Sequence, residues 1–70
     1  MPKFSQIKPT EMVRLLEKNG FVRARQKGSH LTLVNEVKNK QVVVYMHPKS
    51  LKKGTIHTIL KQAGLDRDLL

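Results

Sequence analysis

Gln41-Val42-Val43-Val44-Tyr45-Met46-His47 constrains this chain more than any other stretch. Three consecutive valines followed by tyrosine favour a pleated, extended backbone, because branching at Cβ restricts χ1 and packs well against neighbours in a sheet. The run is so continuous in apolar character that it predicts the central, most buried strand of a sheet. A strand needs backbone partners for its N–H and C=O groups, so the rest of the chain has to supply neighbours.

Two earlier segments fit. Phe21 to Lys27 has strand character, and a two-residue period would place Arg23, Arg25 and Lys27 on one face. His30-Leu31-Thr32-Leu33-Val34 alternates, so Leu31 and Leu33 claim a buried face while His30 and Thr32 point to solvent or a ligand. Gly28-Ser29 between them is a hairpin dipeptide, since Gly supplies φ > 0 and Ser can bond local backbone. Asn35 to Lys40 is a polar connection whose Asn39-Lys40 pair suits a tight turn. Short turns between successive strands predict an antiparallel meander.

Helical signals flank the strands. Pro9 is favoured at a first helical position and Glu11 suits the positive end of a helix dipole, so a helix is expected from about residue 9. Met12, Val13, Leu15 and Leu16 form its apolar stripe, and Asn19-Gly20-Phe21 ends it, with Gly20 left-handed and Phe21 folded back onto Leu15 or Leu16. At the far end, Thr55 is expected to open a second helix with Ile56, Ile59, Leu60 and Ala63 on one face, closed by Gly64-Leu65. Met1 to Ile7 reads as a frayed lead-in, and Asp66 to Leu70 as a short turn or frayed end. The predicted fold is α+β, a two-layer α-β-β-β-α domain spanning 1–70, with a three-stranded antiparallel sheet and two helices on one face. The other face stays open and carries Arg23, Arg25, Lys27, His30 and Thr32.

Charge narrows the partner. Fourteen Lys and Arg stand against five Asp and Glu, a net charge of +9, which points to a polyanion. With Phe4, Phe21 and Tyr45 as the whole aromatic complement, base-stacking platforms have little material, and contacts to phosphate and sugar are favoured. Pro48 to Gly54 adds a basic loop with Lys49, Lys52 and Lys53 directly after His47. The absence of cysteine removes disulfides, thiolate nucleophiles and Cys-based zinc sites, and fits a reducing cytoplasm. No apolar run approaches the roughly 20 residues of a membrane span, so no membrane partner is expected. The histidines His30, His47 and His57 have no matching carboxylate pattern, so neither a metal nor another cofactor is predicted.

A strongly basic α-β-β-β-α chain of this length resembles the double-stranded RNA-binding domain fold. The local words are more specific. Leu15-Leu16-Glu17-Lys18-Asn19-Gly20-Phe21, Gln26-Lys27-Gly28-Ser29-His30, Met46-His47 before a lysine-rich loop, and Lys53-Gly54-Thr55 running on to Ile59-Leu60-Lys61-Gln62-Ala63-Gly64-Leu65 look like the HicA family of bacterial toxins, from about residue 10 to 65. The resemblance implies an endoribonuclease that cuts messenger RNA and is held inactive by a HicB-type antitoxin. It places the catalytic residue at His30, with Gly28 and Ser29 shaping its turn. The chain departs from the family pattern at Tyr45, where a proline commonly stands two residues before the histidine that ends the third strand.

The residues can support that chemistry. RNA carries its own nucleophile, the 2′-hydroxyl, and a neutral imidazole can take its proton, general acid–base help being worth about 10²–10⁴-fold. Lys27 with Lys49, Lys52 or Lys53 would offset charge on the phosphate, and His47 is the candidate for a second acid or base. Cleavage without a metal is expected. The rival reading is a non-catalytic RNA-binding module that uses the same basic face for shape recognition.

Overall fold

The computed structural model describes residues 7–65. The expectations for residues 1–6 and 66–70 lie outside the described residues. The elements run α1 (Pro9–Lys18), β1 (Val22–Lys27), β2 (His30–Asn35), β3 (Lys40–Tyr45) and α2 (Lys53–Ala63). This is the α-β-β-β-α order the residues predict. The sheet is antiparallel with spatial order β1-β2-β3.

Local chemistry sets both ends of α1. Pro9 occupies the first turn, and the Lys8 N–H donates to Glu11 Oε1 at 3.0 Å, so the acidic residue satisfies a donor that the helix leaves free. At the other end Gly20 adopts φ +93°, the Phe21 N–H donates to the Leu16 carbonyl at 3.0 Å, and Phe21 is buried. That is the Schellman arrangement with its apolar closure. It is reinforced by Asn35, buried at the end of β2, whose Nδ2 donates to the Asn19 carbonyl at 3.2 Å while its Oδ1 accepts from the Lys38 N–H at 3.1 Å. One side chain therefore ties the end of a helix to the β2–β3 turn. Gly64 repeats the left-handed stop at the end of α2, with the Leu65 N–H donating to the Leu60 carbonyl at 2.9 Å.

Met12, Val13 and Leu16 of α1, Ile56, Ile59, Leu60 and Ala63 of α2, and Leu31, Leu33, Val42 and Val44 of the sheet bury into one core. Both helices thus cover a single sheet face. They pack chiefly on β3, whereas every residue of β1 is exposed.

Four expectations are corrected. The central strand is β2, not β3, because a meander with short turns always places its second strand in the middle. The apolar run of β3 is continuous because Val42 and Val44 face the core while Val43 and Tyr45 face the open side, 43% and 50% exposed. Ile7 is not frayed, since it is 5% exposed and its carbonyl accepts the Leu51 N–H at 2.7 Å. Leu51 is buried too, so the lysine-rich loop hangs from an apolar anchor. The second helix starts at Lys53, two residues before Thr55, because Gly54 is tolerated in a first turn whose N–H groups have no intrahelical acceptor.

The fourth correction concerns Arg23. Val22 and Arg23 pair with Val34 and Leu33, while Arg25, Gln26 and Lys27 pair with Thr32, Leu31 and His30, so Ala24 is an extra residue, a β-bulge. Cross-strand partners share a face, which puts Arg23 on the side of buried Leu33, where its Nε lies 3.5 Å from Glu17 Oε2. Arg25 and Lys27 keep the open face. The three cations are not in one row.

Candidate active site

The open face is organised in three cross-strand rows. Lys27, His30 and Tyr45 form the first, Arg25, Thr32 and Val43 the second, and Val22, Val34 and Gln41 the third. Positive charge thus collects at the Gly28-Ser29 end of the face, while Val22, Val34 and the uncharged Gln41 lie at the other.

The turn that presents His30 is built from backbone. Gly28 takes φ +58° and Ser29 does not have a positive φ, the pattern of a II′ hairpin turn with glycine in its first central position. Gln26 Nε2 donates to the Gly28 carbonyl at 3.0 Å across the turn. The Ser29 carbonyl accepts the Met46 N–H at 2.6 Å. That last bond extends the β2–β3 ladder one position beyond the His30–Tyr45 pair and locks the hairpin tip to the end of β3, so Ser29 contributes through its main chain.

His30 is exposed, and among the described residues its imidazole makes no hydrogen bond. Its orientation comes from packing. The His30 and Tyr45 rings stack, with centroids 5.1 Å apart and planes 28° apart, and the Tyr45 ring meets His47 at 4.8 Å with planes tilted by 47°. His47 is half-buried, and its Nδ1 accepts the Lys49 N–H at 3.3 Å. An Nδ1 that accepts carries no proton, so the neutral ring in this arrangement holds its hydrogen on Nε2.

The expected site residues are therefore partly gathered. His30, Lys27 and Arg25 share the open face, and His47 joins them through Tyr45. Lys49 is tied to the site by its backbone bond to His47. Lys52 lines a groove with Val43, Thr55 and Ile59 at the free side of β3, and Lys53 begins α2. Arg23 is turned away by the bulge. His57 lies exposed on α2. Tyr45 is the member that reading by residue type alone missed. Its parity with the open side was legible, but its pairing with His30 depends on a register set by the four-residue turn 36–39.

No group of three His, Asp or Glu side chains gathers to a metal-ligand arrangement among the described residues. No helix among them is long and apolar enough to cross a membrane.

A search of curated proteins returns no match to this chain. A family model described as the HicA toxin of bacterial toxin–antitoxin systems matches residues 9–65, which takes in every helix and strand described above and both Gly28-Ser29-His30 and His47. The chain belongs to the HicA toxin family.

Proposed function

We propose that this toxin is a metal-independent endoribonuclease that cleaves messenger RNA, with His30 as its catalytic residue. The observation that carries the reading is the placement of His30. An exposed imidazole that makes no hydrogen bond among the described residues stands at the cationic end of an open sheet face, level with Lys27 and one row from Arg25. Phosphate is drawn there by charge, and the imidazole nitrogens are left for substrate.

The chemistry follows from RNA itself. Neutral His30 takes the 2′-hydroxyl proton as O2′ bonds to phosphorus, and the P–O5′ bond breaks. The departing 5′-oxygen takes its proton from solvent water, the imidazolium of His30 returns the proton it took to solvent, and a 2′,3′-cyclic phosphate remains. The proton count closes without an oxidant or a co-reactant. Lys27 and Arg25 offset the charge that builds on the phosphoryl oxygens, the kind of preorganised stabilisation that supplies much of an enzyme's acceleration. Lys49, Lys52 and Lys53 extend the positive field toward α2. Lys52 and Lys53 sit at the start of that helix with no acidic residue in its first turn. Cations there add to the positive end of the dipole, a cost to the helix that an incoming phosphate offsets.

Membership of a toxin–antitoxin family implies an antitoxin partner. A HicB-type antitoxin with an acidic surface or segment laid over His30 is the simplest inhibitor of such a face. The test is incubation of RNA with wild type and with His30→Ala in parallel, the variant's fold being checked by circular dichroism. Fragments with wild type and intact RNA with His30→Ala are expected. Equal cleavage by a folded His30→Ala protein removes His30 from the role. RNA shifted in a gel but left intact by wild type favours the non-catalytic binding module.

A further inference from the structure

Tyr45 also stands on this face and takes no part in the bond changes of the cleavage step. Its ring contacts two imidazoles at once, His30 across the strands and His47 further along the chain. We propose that Tyr45 is a positioning residue that fixes the separation and orientation of His30 and His47 so that both address one phosphodiester. The proposal rests on the nuclease reading of His30 and deepens it.

Three observations converge. First, His30 makes no hydrogen bond among the described residues that would orient it, so stacking on Tyr45 is the contact that restrains its χ angles. Second, Tyr45 is the last residue of β3 and the direct cross-strand partner of His30, and the backbone on either side is held by the bond from Met46 N–H to the Ser29 carbonyl. The ring therefore projects from a fixed point. Third, His47 accepts from the Lys49 N–H at Nδ1, which leaves Nε2–H as its outward donor.

The bond at Nδ1 gives His47 a distinct task. While Nδ1 accepts from backbone, the ring holds one proton, and giving that proton up would create an unfavourable imidazolate. His47 in this state donates a hydrogen bond from Nε2 to a phosphoryl oxygen and transfers no proton. His30, with no hydrogen bond at either nitrogen among the described residues, does the proton transfer. Two imidazoles with different duties need a fixed relation to each other, and a displacement of about 1 Å in such a pair costs on the order of 10²-fold in rate.

The test compares wild type, Tyr45→Phe, Tyr45→Val and His47→Ala in cleavage of one short RNA, with kcat and KM measured separately. Tyr45 is half-exposed on the uncovered face, and valine keeps strand propensity, so Tyr45→Val is suited to retain the fold; thermal unfolding checks it. Tyr45→Val is expected to lower kcat about 10–100-fold with KM changed less than about threefold, while Tyr45→Phe stays within about threefold of wild type. Adding His47→Ala to Tyr45→Val should cost less than the product of the two single losses, since both disturb one arrangement. An NMR readout independent of activity accompanies this: the His30 imidazole proton resonances should shift in Tyr45→Val, where the ring current is lost, and not in Tyr45→Phe. Wild-type kcat in Tyr45→Val, or unmoved His30 resonances, overturns the proposal while leaving His30 as a nuclease residue. If wild type leaves RNA intact, the nuclease reading falls and takes this role with it.

Discussion

Gly20 and Gly28 both take positive φ, but they stand in different surroundings, and alanine at each should separate backbone strain from steric conflict. A Cβ at Gly28 meets nothing within 4 Å. Gly28→Ala therefore carries the left-handed penalty, about 1–2 kcal/mol, partly offset by the lower entropy of an unfolded alanine chain, for a net loss of about 1 kcal/mol. At Gly20, with φ +93°, a Cβ lies 3.0 Å from Asn35 Nδ2. Asn35 has to move, and its bonds to the Asn19 carbonyl and the Lys38 N–H are each worth about 1 kcal/mol. Gly20→Ala should thus cost about 2–4 kcal/mol in all. For a domain this size about 1 kcal/mol corresponds to a shift of roughly 4–8 °C in Tm, so the two variants are readily resolved by thermal and urea unfolding followed by circular dichroism. The double variant Gly20→Ala/Asn35→Ala removes the clashing atom and should be less destabilised than the sum of its single variants. Equal losses at the two glycines, or strict additivity in the double variant, would refute the role given to Asn35 at the end of α1.

The bulge at Ala24 makes its own prediction. Arg25→Gln should weaken RNA binding and lower the slope of log affinity against log salt by about one, whereas Arg23→Gln should change both much less; equal effects in salt-titrated binding would put Arg23 back on the working face. Phe21→Ala empties a fully buried position that closes the Schellman cap, and should cost about 3–5 kcal/mol, a large part of the stability of so small a domain; a loss below about 1 kcal/mol in urea unfolding would contradict the packing described. RNA cleavage should persist in excess EDTA, and its abolition with rescue by a divalent ion would overturn the metal-independent mechanism.

Much of the fold is written locally. Pro9, Gly20, Gly28, Asn39 and Gly64 each sit where their own conformational preferences place them, four of them with positive φ, and the alternation of Leu31 and Leu33 is enough to send His30 to the open side. What local reading misses depends on partners distant in sequence. Nothing in Arg23-Ala24-Arg25 marks a bulge, because a bulge is a mismatch between two strands. The run Val42 to Tyr45 looks buried on both faces because an uncovered face that bears Val43 and Tyr45 is indistinguishable, by composition, from a covered one. Asn35 is a polar residue in a polar stretch until Asn19 and Lys38 are brought to it. The candidate site divides the same way. His30 and its turn are legible from parity and dipeptide chemistry, and the lysines from charge. The contact of Tyr45 with both imidazoles exists only once the register of β2 against β3 is known.

The central claim is that His30 takes the proton of an RNA 2′-hydroxyl, and the chemical ends of the product test it most directly. A single RNA oligonucleotide is cleaved by wild type and the fragment termini are identified by mass spectrometry. A 2′,3′-cyclic phosphate, or the phosphate its hydrolysis leaves, facing a 5′-hydroxyl is the expected result. A 3′-hydroxyl facing a 5′-phosphate would mean that water, not the 2′-oxygen, attacked phosphorus, and would contradict the account.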